Sequence, residues 1–396
     1  MKHFFIYLSV FLMMYGMPLN GWAQKSRMRD YGIRTGVMKP GPMNAITDVK
    51  GVAIGHVTLI EGDSIRTGVT AIIPHPGNMY REKVPAAFWA GNGYGKLAGT
   101  TQIRELGNIE TPVVLTNTLS VAAGMEGLIS YTLAQKGNEN VQSVNAVVGE
   151  TNDGALNDIR GRHVTPDHVL EALANALPGP VQEGNVGAGT GTVCFGFKGG
   201  IGTSSRVLPE SEGGYTVGVL VQTNFGGVLQ INGINVGEKL GKYSYKDQLE
   251  APLDQKRTAP LRDADGSCMI VIITDAPVGE RNLERLAKRG IMGLARTGGI
   301  ASNGSGDYVI ALSVAPENLI RAGYDQNGQV LPVYTANYLH NDQCSLLFMA
   351  AIEATEEAIL NSLFAAETMT GKYGRTIEAL PVEKVIPLFP IVKDIE

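Results

Sequence analysis

Short β-branched runs recur along the chain at 52–57, 69–73, 113–115, 146–148, 217–222, 269–274 and 308–314, and each predicts a strand. Helical patterns lie between them. Thr165-Pro166 supplies an N-cap and a first helical residue for a helix over 167–177. Residues 282–294 carry an apolar stripe at 283, 286, 287, 291 and 294. The longest helical segment, 343–366, is apolar on most faces at its start, which predicts burial. Strands and helices are thus interspersed, with no internal repeat. The stretch 239–266 breaks the pattern, being rich in charge and proline and poor in β-branched residues. It predicts an exposed excursion that ends at Gly266-Ser267, where a buried strand begins almost at once.

The amino terminus has its own pattern. "MKHFFIYLSVFLMMYGMPLNGWAQ" places Lys2 and His3 before an apolar run over 4–14, and Gly21 and Ala23 bracket Trp22. These are the n-region, h-region and small-residue cleavage site of a secretory signal over 1–23. The mature chain would start at Gln24 and be periplasmic or secreted. An uncleaved anchor is the alternative, although the run is short of the ~20 residues a membrane span needs. No later segment is apolar enough to span a bilayer.

Composition narrows the class. With 44% hydrophobic and 18% charged residues over 396 positions, the chain reads as globular, as one large domain or two small ones. A net charge of -5 offers no basic face to a nucleic acid. Fifty evenly spread glycines imply tight turns and close backbone approaches. Cys194, Cys268 and Cys344 are odd in number, far apart and in apolar contexts, so they predict buried thiols. No His/Cys/Asp cluster has metal-ligand spacing, and no cofactor or metal is expected.

Familiar catalytic arrangements are missing from the sequence. There is no G-x-S-x-G and no H-E-x-x-H, and "GNGYGKLAG" (91–99) lacks the Lys-Ser/Thr end of a phosphate loop. His56 and His75 sit at a strand end and in a turn, where structural roles are expected. A hydrolase built this way must activate its nucleophile without an obvious histidine. "DADGSCMIVIITDAP" (263–277) offers one route. Locally it is a turn feeding a strand. If the chain were cut before Ser267, the new α-amine, with an ordinary pKa of about 7.7 to 8.0, or another polar neighbour could take the hydroxyl proton. Gly266, lacking a Cβ, permits the geometry in which that hydroxyl attacks its carbonyl.

At this point the chain resembles a known family, the self-processing L-aminopeptidase/D-amino-acid esterases and β-peptidyl aminopeptidases. The likeness spans essentially the whole mature sequence. "NAITDVKGVAIGHVT" (44–58) and "RTGVTAIIP" (66–74) are similar to the family's opening strands, and "VVGETNDGALNDIRG" (147–161) to its substrate-binding segment. "VQTNFG" (221–226) resembles the oxyanion segment and "DGSCMIVIITDAP" (265–277) the cleavage junction. "ARTGGIASNGSGDYVIALS" (295–313) resembles the segment with the supporting serine and acid, and "NSLFAAETMTGKYG" (361–374) the C-terminal signature.

The resemblance implies a catalytic Ser267, supported by Ser305 and Asp307, with Asn224 in the oxyanion hole. Some family members have glutamate where this chain has Asp307. It implies that Glu150 receives the substrate's free amine, with Asn152 in the same substrate segment; at Asn152 and Ala155 relatives often carry aromatic residues. Read locally, "SNGSGD" is a turn before a strand, Asn224 ends one, and Glu150 is a surface carboxylate beside a loop. The implied fold is α/β, a four-layered α/β/β/α sandwich like that of N-terminal-nucleophile hydrolases. A single domain over 24–396 would be cut into 24–266 and 267–396 and assemble as a homo-oligomer, a tetramer of processed heterodimers. The implied activity is that of a serine aminopeptidase, releasing N-terminal amino acids from short peptides, amides or esters through an acyl-Ser267 intermediate. Two alternatives stand beside it. One is acyl transfer like that of ornithine acetyltransferases, whose nucleophile is threonine. The other is a non-catalytic binding module on a hydrolase scaffold, which would run as one band on a denaturing gel.

Overall fold

A computed structural model describes residues 26–250, 266–321, 323, 329 and 333–389. The expected signal over 1–23 and most of the proline-rich part of the 239–266 excursion lie outside the described residues. Within that excursion, the described part includes a short helix, Lys246–Glu250.

Two sheets carry the architecture. The first runs Ala53–Glu61, Ile65–Ile73, Val113–Asn117, Val147–Thr151 and the short Leu97–Ala98, in that spatial order. The second runs Ile201–Val207, Thr216–Asn224, Ser267–Thr274, Gly306–Ser313 and Glu82–Gly93, with Ile320–Arg321 at its edge. Each sheet has one parallel pair, 113–117 with 147–151 and 267–274 with 306–313. A helix follows the first strand of each pair, Val121–Leu133 in one and Glu280–Arg296 in the other, as a crossover requires.

Strand periodicity divides the apolar residues into three cores. Along the Ser267 strand, Met269, Val271 and Ile273 face one way and meet Leu115, Val147 and Ile72 of the other sheet. Ile270 and Ile272 face the other way, against Leu283, Leu286, Ala354 and Ala358 of the helices Glu280–Arg296 and Ser345–Phe364. A third core seats Leu128 and Val169, from the helices Val121–Leu133 and Pro166–Ala174, on Val57, Val69 and Val148. Three cores between four layers make an α/β/β/α sandwich.

Every predicted strand is present, most of them longer than their apolar runs. Of the strands that were not predicted, two are long. Glu82–Gly93 is rich in Ala and Gly and contains Pro85, and its pairing with the Gly306 strand holds it extended. Ile201–Val207 is polar at its middle yet buried as far as Arg206: Thr203 donates to the Val219 carbonyl at 2.7 Å and Ser205 to Asp48 at 2.6 Å. Beside them the fully buried Arg206 is paired with Glu353 at 3.1 Å and Glu357 at 2.7 Å.

Candidate active site

Strand register sets the site. Ser267 opens its strand; its antiparallel neighbour is Asn224, the last residue of the preceding strand, and its parallel neighbour is Gly306, the first of the next. Gly306 in turn faces Gly93. One end of the second sheet therefore presents the row Asn224, Ser267, Gly306, Gly93.

Around the 266–267 peptide the geometry is tight. The Ser267 hydroxyl donates to the Gly266 carbonyl at 2.6 Å, and the Gly306 N–H donates to the same oxygen at 3.1 Å. A Cβ on Gly266 would come within 3.3 Å of Ser305 Oγ, which places that hydroxyl beside the 266–267 peptide. A Cβ on Gly306 would collide with the Tyr94 carbonyl, so the chain can approach this closely only as glycine. Ser305 is held by its backbone: its N–H donates to Ser302 at 2.8 Å, and its carbonyl accepts from the Tyr94 N–H at 3.3 Å and from the Asn92 side chain.

Ser305 and Asp307 are both buried, and neither Ser305 Oγ nor either Asp307 oxygen makes a hydrogen bond of good geometry. Unpartnered buried polar groups are costly and uncommon, and these stand next to Ser267 in a candidate site. Burial pushes the Asp307 carboxyl up to about 6, even though the Ser305 hydroxyl and the Cys268 amide lie close enough to favour its charged form. A bulge in the pairing between the Gly306 strand and the Glu82 strand falls immediately after Asp307. The Cys268 thiol next to Ser267 is pushed well above its ordinary range by burial and then by Asp307, which keeps it a thiol.

Asn224 is oriented by the Val193 N–H, which donates to its Oδ1 at 2.9 Å. Its amide N–H₂ has no partner among the described residues and is free to meet an oxyanion. Its strand is pinned across the sandwich by the fully buried Gln222, whose amide donates to the Thr116 carbonyl at 3.1 Å and the Ala188 carbonyl at 2.8 Å.

Glu150 is the penultimate residue of the Val147–Thr151 strand of the other sheet and is only 2% exposed, so it is not the surface carboxylate of the local reading. It accepts from the Lys96 N–H at 2.9 Å and from the Thr118 hydroxyl, and Lys96 Nζ lies 3.7 Å away. Gly95 links it to the nucleophile row: a Cβ there would lie 3.0 Å from Glu150 Oε1 and 3.6 Å from Gly306 Cα. Asn152 is placed differently. It is exposed, and its side chain accepts the Gly154 N–H at 2.9 Å in a local turn. Asp153, beside it, is buried, and burial followed by the nearby Glu150 charge lifts its carboxyl to about 7 against the Thr67 and Asn157 side chains.

The sequence reading passed over Gly306, Tyr94, Lys96 and Tyr308. The available signal was "GNGYGKLAG", set aside there as an incomplete phosphate loop. Two of its glycines, Gly93 and Gly95, lie against the row at Ser267. His56 bonds Thr70 at 3.0 Å and His75 the Glu82 carbonyl at 2.9 Å, both in structural settings. Among the described residues no group of three His, Cys, Asp or Glu could hold a metal ion, and no helix is long and apolar enough to cross a membrane.

Comparison with known proteins places this geometry. The model of peptidase family S58 matches residues 44–377. The chain is 44% identical to the β-peptidyl aminopeptidase BapA of Sphingosinicella microcystinivorans over 92% of this chain and 93% of that one. A Burkholderia β-aminopeptidase superposes with TM-score 0.81 at 41% identity, over 91% of this chain and 98% of that one. The L-aminopeptidase D-Ala-esterase/amidase of Ochrobactrum anthropi, a serine aminopeptidase described as a variant of the Ntn-hydrolase fold, does so with TM-score 0.79 at 35% identity, over 91% and 97%. The chain belongs to peptidase family S58, as a serine aminopeptidase with the Ntn-hydrolase fold.

Proposed function

We propose that this aminopeptidase activates itself by cutting between Gly266 and Ser267, and then releases N-terminal amino acids through an acyl-Ser267 intermediate. The observation that carries the reading is the scissile carbonyl itself, which receives both the Ser267 hydroxyl at 2.6 Å and the Gly306 N–H at 3.1 Å. Attack by Ser267 Oγ on the Gly266 carbonyl carbon forms a C–O bond, and the Gly306 N–H meets the charge that develops on the oxygen. The C–N bond then breaks and the proton passes to the Ser267 nitrogen. Water hydrolyses the ester, leaving a Gly266 carboxylate and a free Ser267 amine.

In turnover the same hydroxyl attacks an aminoacyl carbonyl, with Ser305 and Asp307 orienting it. The Asn224 amide receives the oxyanion, the leaving amine departs protonated, and water frees the amino acid. Glu150 holds the substrate's ammonium through a charge-assisted hydrogen bond, which restricts the enzyme to unblocked substrates. Asn152 belongs to the same substrate segment and acts through the turn it caps. Substrates are α-L-, β- or D-aminoacyl peptides, amides or esters. The relatives' names support this range. A signal over 1–23, a periplasmic or secreted location and a homo-oligomer of processed heterodimers complete the proposal; the n- and h-region pattern and the family likeness support them.

A panel of aminoacyl p-nitroanilides, α-L, D and β, each free and N-acetylated, tests the reading. Free-amine substrates are cleaved and acetylated ones are inert, because acetylation removes the charge that Glu150 binds. Ser267→Ala is inactive on all of them. Equal rates on blocked and free substrates would refute the amine anchor.

A further inference from the structure

The proposed amine anchor is already occupied. Both Glu150 oxygens accept hydrogen bonds, from the Lys96 N–H and the Thr118 hydroxyl, and the carboxylate is almost fully buried. The third neighbour differs in kind. Lys96 Nζ stands 3.7 Å from Oε1 on a side chain that is 53% exposed, against 2% for the glutamate.

The backbone around this lysine is fixed at two points. The Gly95 carbonyl accepts the Tyr308 hydroxyl at 3.2 Å, and the Lys96 N–H is held by Glu150 at 2.9 Å. Gly95 itself, at φ +136°, lets the chain pass close against the carboxylate. Only the lysine's long side chain is left free to swing. An open depression lined by Gly93, Gly95, Lys96, Thr100, Val121 and Tyr308 begins at this point.

We infer that Lys96 is a substrate-site residue, whose ammonium covers Glu150 in the empty enzyme and is displaced by the ammonium of the substrate. The inference rests on the reading of Glu150 as the amine anchor. A buried carboxylate without a cation is unfavourable, so the lysine keeps the empty site neutral. A half-exposed pair at this distance is weak and screened by solvent, so a well-placed substrate cation replaces it at small cost. A neutral or acylated amine gains nothing from the exchange and leaves Lys96 in place. The lysine thus weakens every accepted free-amine substrate by the same competition.

The test is steady-state kinetics of Lys96→Met and Lys96→Arg on a free-amine aminoacyl p-nitroanilide. Lys96→Met lowers KM by roughly two- to fivefold with kcat unchanged, the span of a partly exposed ion pair. Lys96→Arg, which restores the cation, returns KM to the wild-type value. An unchanged or raised KM in Lys96→Met overturns the inference. Glu150→Gln is the separating arm. If it leaves KM and kcat/KM untouched, the anchor itself is misassigned; if it weakens the enzyme while Lys96→Met does not lower KM, only the role of Lys96 falls.

Discussion

The Ser267 hydroxyl sits among small polar groups: the Gly266 carbonyl, the Gly306 amide and, beside that peptide, the Ser305 hydroxyl. In the mechanism proposed for this setting, the oxyanion donors and the charge on Asp307 decide the rate. Asn224→Ala removes a side-chain donor that matters only as charge develops, so kcat falls by about 10²–10³, some 2.7–4 kcal/mol, with little change in KM. Unchanged kcat would remove Asn224 from the oxyanion hole. Asp307, raised by burial to about 6, draws the hydroxyl proton only when ionised. Self-cleavage of the freshly folded chain therefore speeds up as pH rises through about 6, and Asp307→Asn loses that dependence, as timed gels will show. The stability effect has the opposite sense. With its folded pKa above its ordinary value of 3.8, Asp307 supports the fold fully below about pH 4, and that support is lost as pH rises through 6. In an uncut Ser267→Ala background, Asp307→Asn is accordingly the more stable chain at pH 7. Of this row, Asn224 and Ser267 were legible through the family likeness of "VQTNFG" and "DGSC", whose local readings are only a strand end and a turn, whereas Gly306 and Gly93 join them through strand register. The amine site was legible only in part. Glu150 stood in a motif, but Lys96 and Thr118 are near it only through pairing between strands distant in sequence.

At the scale of elements, the strands end in step because apolar cores lock their registers, and a slip of one residue would send Met269, Val271 and Ile273 to the wrong core. These alternations could be read from the chain. Elements held by polar contacts could not: Ile201–Val207 looks like a loop until Asn44, Asp48 and Glu353 arrive from elsewhere. The helix Ser345–Phe364 is buried, as its apolar start predicts, yet its inward side also carries Glu353 and Glu357. Burial pushes Glu357 up, but Arg29 and Arg206 outweigh it and hold the carboxyl below its ordinary range. Gln222 is the clearest polar tie between the sheets. Gln222→Leu strands the Thr116 and Ala188 carbonyls and costs about 2 kcal/mol, read as a lower thermal midpoint in the Ser267→Ala background. An unchanged midpoint would mean that the apolar core alone holds the sheets together.

Across the whole molecule, the cut proposed at 266–267 does not divide the fold. In the second sheet the strands Ser267–Thr274 and Gly306–Ser313 are flanked by Thr216–Asn224 on one side and Glu82–Gly93 on the other. Strands of the second chain thus lie between strands of the first, and Ser345–Phe364 packs against Ile201–Val207 and Thr216–Asn224. The two fragments are expected to co-elute on native size exclusion and to part only in denaturant; separation under native conditions would contradict this interleaving. The central claim is self-activation at Ser267, and the most direct measurement is a denaturing gel of the purified active enzyme followed by N-terminal sequencing of the smaller band. Two bands are expected, at roughly 26 and 14 kDa in proportion to 42.1 kDa for 396 residues, and the smaller begins Ser-Cys-Met-Ile, while Ser267→Ala stays whole and inactive. A fully active enzyme that runs as one chain, or a small fragment that begins at any other residue, would contradict the account.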